Sequence, residues 1–152
     1  MPGRGVHLEH AYRFARREGL SIDPRYIPLI EKLIDDPGLV RTSVLRAAEG
    51  CGDRIIARMV EALRAGLRYS TAMRHDWGLN RRRRGRSSEL VKSLVRCLYG
   101  DDAPALVDLH SSLDVISMWG LGAGEYLEWA RVNRVDPRVR AYILEEVYGG
   151  SG

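Results

Sequence analysis

The chain has 152 residues, 45% of them hydrophobic and 29% charged, which suits one domain with a buried core and excludes wholesale disorder. No uncharged run approaches the ~18 apolar residues of a membrane span; the longest, Val115 to Gly124, is rich in glycine. The net charge is +4, and 22 of the 24 basic residues are Arg, the side chain suited to forked recognition of phosphate.

Arg4 is followed by no apolar block, so the N-terminus does not read as a secretory signal. Cys51 and Cys97 are too few for a disulfide framework. Gln is absent and the only Asn residues are Asn80 and Asn133, a scarcity of thermolabile amides that suits a hot habitat. A GC-rich genome would also favour Arg over Lys.

Helical periodicity runs through almost the whole chain. A first helix is predicted from Val6 to Glu18, with Leu8, Ala11, Tyr12 and Ala15 on one stripe and Gly19 as its stop. Asp23-Pro24 reads as a cap and first helical position, or the second helix begins at Pro28; it turns Tyr26, Ile27, Ile30, Leu33 and Ile34 inward. A third helix spans about Leu39 to Glu49 and is closed by Gly50. Asp53 can cap a long fourth helix from Arg54 to about His75, striped by Ile56, Met59, Val60, Leu63 and Leu67.

Residues 76–87 carry no stripe and read as a loop. Ser88 caps a fifth helix to Tyr99 that buries Leu90, Val91, Leu94 and Leu98. A sixth runs from Ala103 to Trp119 on Leu106, Leu109, Leu113 and Ile116. The glycines from Gly120 to Gly124 make a flexible break. A seventh helix covers Glu125 to Val132, and Asp136-Pro137 starts a last one carrying Val139, Tyr142, Ile143 and Val147. No segment alternates strictly. The predicted fold is all-α: about 7–8 helices, no sheet, a helical arm at 1–50 and a bundle at 51–152 with the basic loop 76–87.

A faint internal echo joins two segments. Tyr12, Phe14-Ala15-Arg16 and Ile22-Asp23-Pro24-Arg25 resemble Tyr126, Trp129-Ala130-Arg131 and Val135-Asp136-Pro137-Arg138, with the spacing differing by two residues.

Charge divides along the chain. Residues 1–100 hold 20 basic and 11 acidic groups, a net of +9, whereas residues 101–152 hold 4 and 9, a net of −5. Such a split suits polyanion binding by one part and attraction between opposite ends of neighbouring copies. The strongest local signal is Arg81, Arg82, Arg83, Arg84 and Arg86. With Arg54, Arg58, Arg64, Arg68 and Arg74, the window 54–86 has ten Arg against Glu61 and Asp76, a net of +8. Guanidinium groups this dense are tolerable in a solvated loop and favourable beside phosphate. Arg13, Arg16 and Arg17 extend the same surface or form an ordinary exposed helix face. About six phosphate contacts on duplex DNA would give a log–log salt slope near −5. No motif for reading base edges is present.

Other chemistry is sparse. His7 and His10 stand three apart on a helix, a chelating spacing, but neither His75, His110, Cys51 nor Cys97 completes a metal pattern, so no metal is expected. The glycines at 120–124 lack the spacing and the preceding strand of a nucleotide loop. Asp108 and Asp114 fall on nearly opposed faces of one helix, and Ser111 and Ser112 lack a base with an orienting acid. No catalytic constellation, cofactor or small-molecule substrate is expected. Tyr126, Trp129, Tyr142 and Tyr148 gather in the acidic part, where they suit a subunit interface or an intramolecular core.

The C-terminal stretch Gly124-Glu-Tyr126-Leu-Glu-Trp129-Ala-Arg-Val-Asn133, then Asp136-Pro137-Arg-Val139 and Tyr142-Ile143-Leu-Glu-Glu-Val147, resembles the last helix pair of the major capsid proteins of filamentous archaeal viruses with linear double-stranded DNA. The run from Gly85 through Leu98 to Ala103-Pro104-Ala-Leu-Val resembles the two helices before it. The likeness spans roughly the last 70 residues and has no invariant short motif; the first half matches only in its basic, helical character.

The resemblance implies a subunit that dimerises with itself or with a related capsid protein and polymerises helically in the virion. Its helices would wrap DNA in the A form, with arginines neutralising both strands. This chain departs from that pattern by carrying its Arg81–Arg86 run in a loop instead of an arm helix. The sequence does not indicate a lipid envelope. The alternative reading is a small helical subunit of an RNA-guided defence complex, or a chromatin-like DNA-binding protein.

Overall fold

Most of the helices have one face to bury, and the fold follows from where those faces meet. The computed structural model describes residues 2–36, 42–66, 68 and 88–149. Among them the chain is all-α, with eight α-helices and no strand. No described helix is long and apolar enough to cross a membrane.

The first helix, α1 (Pro2–Glu18), starts ahead of the predicted Val6, since proline is tolerated in a first turn. Ala11 and Phe14 are fully buried, with Leu8, Tyr12 and Ala15 packed beside them. It closes at Gly19, whose φ of +61° is left-handed, where the Leu20 N–H donates to the Ala15 carbonyl at 2.9 Å. Asp23 accepts the Arg25 N–H at 2.9 Å and opens a short turn, Pro24–Tyr26, that leads into α2 (Ile27–Asp35).

The next helix, α3 (Thr42–Ala47), is followed by a turn at Glu49–Cys51, and the left-handed closure falls on Gly52, not on Gly50 as predicted. Asp53 caps α4 (Arg54–Arg64), accepting from Ile55 and Ile56 N–H at 2.9 and 3.1 Å. This helix does not run to His75: it ends in a turn at Ala65 and Gly66, the latter at a φ of +93°. Leu67, on which the longer prediction drew, lies outside the described residues, as do loop 76–87 and Arg74, Arg81–Arg84 and Arg86.

In α5 (Ser88–Tyr99) the inward stripe is Leu90, Val91, Leu94 and Val95. Leu98, predicted to be buried, is 36% exposed although it continues that stripe at i+4 from Leu94, so the last turn of the helix is less covered by its neighbours. The central element is α6 (Ala103–Trp119), which packs against α5, α2 and α1. It is enclosed nearly all round, burying Asp108, His110 and Ser112 along with its apolar residues. Enclosure on several sides is what makes polar groups on this helix seek partners.

The glycines at 120–124 form a capped link between helices: Gly120 closes α6 at a φ of +59°, and the Gly122 N–H donates to Glu125 Oε1 at 3.0 Å. Two more helices follow, α7 (Ala123–Val132) and α8 (Pro137–Ile143), the latter running into a wide turn at Leu144–Tyr148.

One hydrophobic core holds residues from Ala11 to Ile143. The segment 1–50, predicted as an arm, shares that core through Ala11, Phe14, Ile27, Ile30 and Leu45. Cys51 and Cys97 are joined as a disulfide, with Cα atoms 5.7 Å apart, tying the turn before α4 to the end of α5.

The internal echo is visible in the turns. Arg134 sits at a φ of +52°, where α1 has Gly19, and the Val135 N–H donates to Ala130 at 2.9 Å, just as Leu20 does to Ala15. Asp136 then caps α8 through the Arg138 N–H at 2.8 Å, as Asp23 does through Arg25. Asp102 joins both turns, accepting from Ser21 N–H at 2.8 Å and facing Arg138 Nη1 at 3.4 Å.

Candidate functional site

The described arginines singled out for phosphate contact fall on two surfaces. On α4, Arg54 and Arg58 are exposed on the side opposite Ile56, Met59 and Val60, Arg64 is exposed on the flank next to Val60, and Arg68 is exposed just beyond. Arg64 faces Glu49 at 2.8 Å. The other surface is on α1, where Arg13, Arg16 and Arg17 are exposed. Arg13 lies 3.6 Å from Glu146, and Arg17 pairs with Glu145 and with Glu146. Part of the opposite charge seen along the sequence therefore meets within one chain, not only between copies. Exposed pairs of this kind contribute only about 0–1 kcal/mol, so a denser anion such as a phosphate backbone can displace them.

The aromatic group is largely core. Tyr126 and Tyr142 are fully buried within the chain, which removes both from any subunit interface. Ser112 Oγ and the Tyr126 hydroxyl lie 2.8 Å apart, and burial pushes the Tyr126 phenol up to about 12. The Tyr142 hydroxyl lies 2.6 Å from His10 Nδ1, and the Tyr148 hydroxyl donates to the Leu121 carbonyl at 2.7 Å. Trp129 is half-buried, and its indole Nε1 has no hydrogen-bond partner among the described residues. These residues sit inward because α7 and α8 lie on α6, whose faces need apolar cover.

A second constellation lies where α1, α2 and α6 meet. His110 is 4% exposed; its Nδ1 is 2.7 Å from Glu31 Oε2, and its Nε2 is 3.1 Å from Asp35 and 3.4 Å from Asp114. His7 Nε2 is 3.4 Å from the other Asp114 oxygen, and its ring meets that of His110 edge-on at 4.6 Å. Burial disfavours the His110 imidazolium, but hydrogen bonds to Asp114 and Glu31 outweigh it and push the group up to about 10. Burial and the neighbouring His110 move His7 the other way, below its usual value. The sequence paired His7 with His10; the structure separates them in role, since His10 turns to Tyr142.

Asp108 faces Lys92 at 2.5 Å and accepts the Asp136 N–H at 2.9 Å, whereas Asp114 faces the two histidines, so the two carboxylates serve different neighbours. Burial raises Asp108 above the usual carboxylate range, against Lys92 and the Asp136 N–H. The Ser112 hydroxyl is engaged by the Tyr126 hydroxyl.

Sequence reading missed the histidine–carboxylate cluster because Glu31 and His110 are far apart along the chain. The available signal was the four-residue spacing of Glu31 with Asp35 and of His110 with Asp114, which stacks each pair on one helix face.

Fold and sites together define an all-α protein with an arginine-rich surface and a buried histidine–carboxylate cluster. No protein-family model, curated protein or solved structure matches the chain.

Proposed function

We propose that this protein binds double-stranded DNA through Arg–phosphate contacts without sequence specificity and coats it as a structural, non-enzymatic subunit of a viral nucleoprotein. The observation that carries the reading is the set of exposed arginines on α4, Arg54 and Arg58 on its outer side and Arg64 on its flank, leading through Arg68 toward Arg74 and the Arg81–Arg86 run in sequence. Phosphate neutralises such a density of guanidinium charge, and each contact releases condensed counterions. Arg13, Arg16 and Arg17 on α1 would add to the contact once phosphate replaces Glu145 and Glu146. In this reading copies of the chain, or the chain with a related partner, polymerise along the duplex in the virion.

A second reading is a self-contained nucleic-acid-binding module, such as a small subunit of an RNA-guided defence complex or a chromatin-like protein. The burial of Phe14, Tyr126 and Tyr142 in the chain's own core favours it, since these side chains are withdrawn from contacts between copies.

The test is titration of duplex DNA of several sequences with the purified protein at stepped salt, followed by electron cryo-microscopy of the mixture. Coating predicts sequence-independent affinity, a salt slope near −5 for about six phosphate contacts, and helical filaments. Discrete complexes of fixed stoichiometry favour the module. Absence of DNA binding at low salt refutes the coating reading, and absence of binding to RNA as well refutes the module.

A further inference from the structure

We propose that His7, His110 and Asp114, with the Asp35 carboxylate beside His110, form a site for one first-row divalent metal ion of the Zn2+ class, at the junction of α1, α2 and α6. His7, His110 and Asp114 already present ligand atoms that all lie within 4.8 Å of one another. His7 Nε2 stands 3.4 Å from Asp114 Oδ1, and His110 Nε2 stands 3.4 Å from Asp114 Oδ2 and 3.1 Å from Asp35 Oδ1. Around a tetrahedral ion with donors at about 2.0–2.1 Å, neighbouring donors are roughly 3.3–3.4 Å apart. The two histidines thus stand at about one such edge from the Asp114 carboxylate, each against a different oxygen, and Asp35 or solvent would complete the shell.

Glu31 is an independent sign of the same site. It is 7% exposed, and its Oε2 lies 2.7 Å from His110 Nδ1. A carboxylate on the far ring nitrogen holds a ligating imidazole in the tautomer whose Nε2 lone pair faces the ion, the usual support of a metal-bound histidine. Two imidazoles with carboxylates select a borderline ion such as Zn2+ or Co2+ over Mg2+ and Ca2+, which prefer all-oxygen shells. Asp114 keeps 45% of its side chain exposed and His7 keeps 15%, so an ion can enter from solvent. The site shares no residue with the arginine surface, so it stands or falls apart from the DNA reading.

Full-length protein stripped with a chelator is titrated with ZnCl2 by calorimetry and with CoCl2 by visible absorption. The expected result is uptake of a single ion and the intense visible bands of tetrahedral Co2+. His7→Gln and Asp114→Asn should each weaken binding at least about 100-fold, and Glu31→Gln about 10- to 100-fold through loss of ring orientation. The His110 ring is buried, so a variant there can fail to fold; His7→Gln and Asp114→Asn, at the open side, decide the matter, with helix content checked by circular dichroism. No stoichiometric uptake by the unaltered chain, or uptake unchanged in both variants, overturns the site and leaves the cluster as an ion-pair network around protonated His110.

Discussion

The Phe14 ring on α1 meets the Tyr142 ring on α8 edge to face, with centroids 5.4 Å apart. Helices from opposite ends of the sequence are thus packed in one core, and both rings are fully buried. Phe14→Ala should cost about 3–5 kcal/mol, the range for deleting a buried aromatic ring. Chemical denaturation would measure it. A loss below about 1 kcal/mol would mean that α1 is a detachable arm after all.

The Cys51–Cys97 bridge closes a span of 46 residues that includes the arginine-rich segment. The chain-entropy account gives about 4 kcal/mol for a loop of that length. The double variant Cys51→Ser, Cys97→Ser should accordingly unfold at lower denaturant than the oxidised protein. Dithiothreitol should shift the unaltered chain toward the variant and leave the variant where it is. Identical midpoints for all samples would show that the cysteines are not paired in solution.

Stability should respond to pH through His110. Its folded-state value of about 10 lies above the ordinary 6.5. The folded state therefore holds this proton more tightly than the unfolded chain. That contribution is complete below about pH 6.5 and is lost as pH rises through about 10. His7 and His10 are lowered, chiefly by burial, so acidification below their ordinary value works against the fold. With chelator present, the stability gap between the unaltered chain and Glu31→Gln, which removes a carboxylate that holds the His110 proton, should narrow steadily as pH rises across that window. A gap independent of pH would contradict the raised value.

Arg134→Gly should stabilise the protein by about 1 kcal/mol, because a left-handed backbone costs a residue with a Cβ about 1–2 kcal/mol. The residue is exposed, at a φ of +52°, and ends α7 in the way Gly19 ends α1. Thermal melts of the two proteins, with and without DNA, would measure it. Lower stability in the glycine variant would show that the arginine side chain contributes more than the backbone strain it carries.

Much of the helical framework was legible locally. Asp23, Asp53 and Asp136 cap the turns they were predicted to cap, because a short acidic side chain reaches the free N–H groups two or three residues ahead. Gly19 likewise ends α1. The end of α4 was misread because the stripe through Leu63 and Leu67 outvoted Gly66. Leu98 was misplaced because period alone does not reveal which residues of a last turn a neighbouring helix reaches.

Among the candidate sites, the density of arginine is a property of composition and is plain in the chain itself. The histidine–carboxylate cluster is not, since it gathers residues from α1, α2 and α6.

The sequence alone determined that this is an all-helical chain with a concentrated cationic segment, since helical period, capping and net charge depend on residues close together in the chain. Tertiary structure decided what those helices do with their remaining groups. It folded the acidic end onto α1, withdrew Tyr126 and Tyr142 into the core, and set Glu31 against His110. The reason is that α6 is enclosed by its neighbours, and each polar group on it must find its partner on another helix, a choice made by packing and not by spacing.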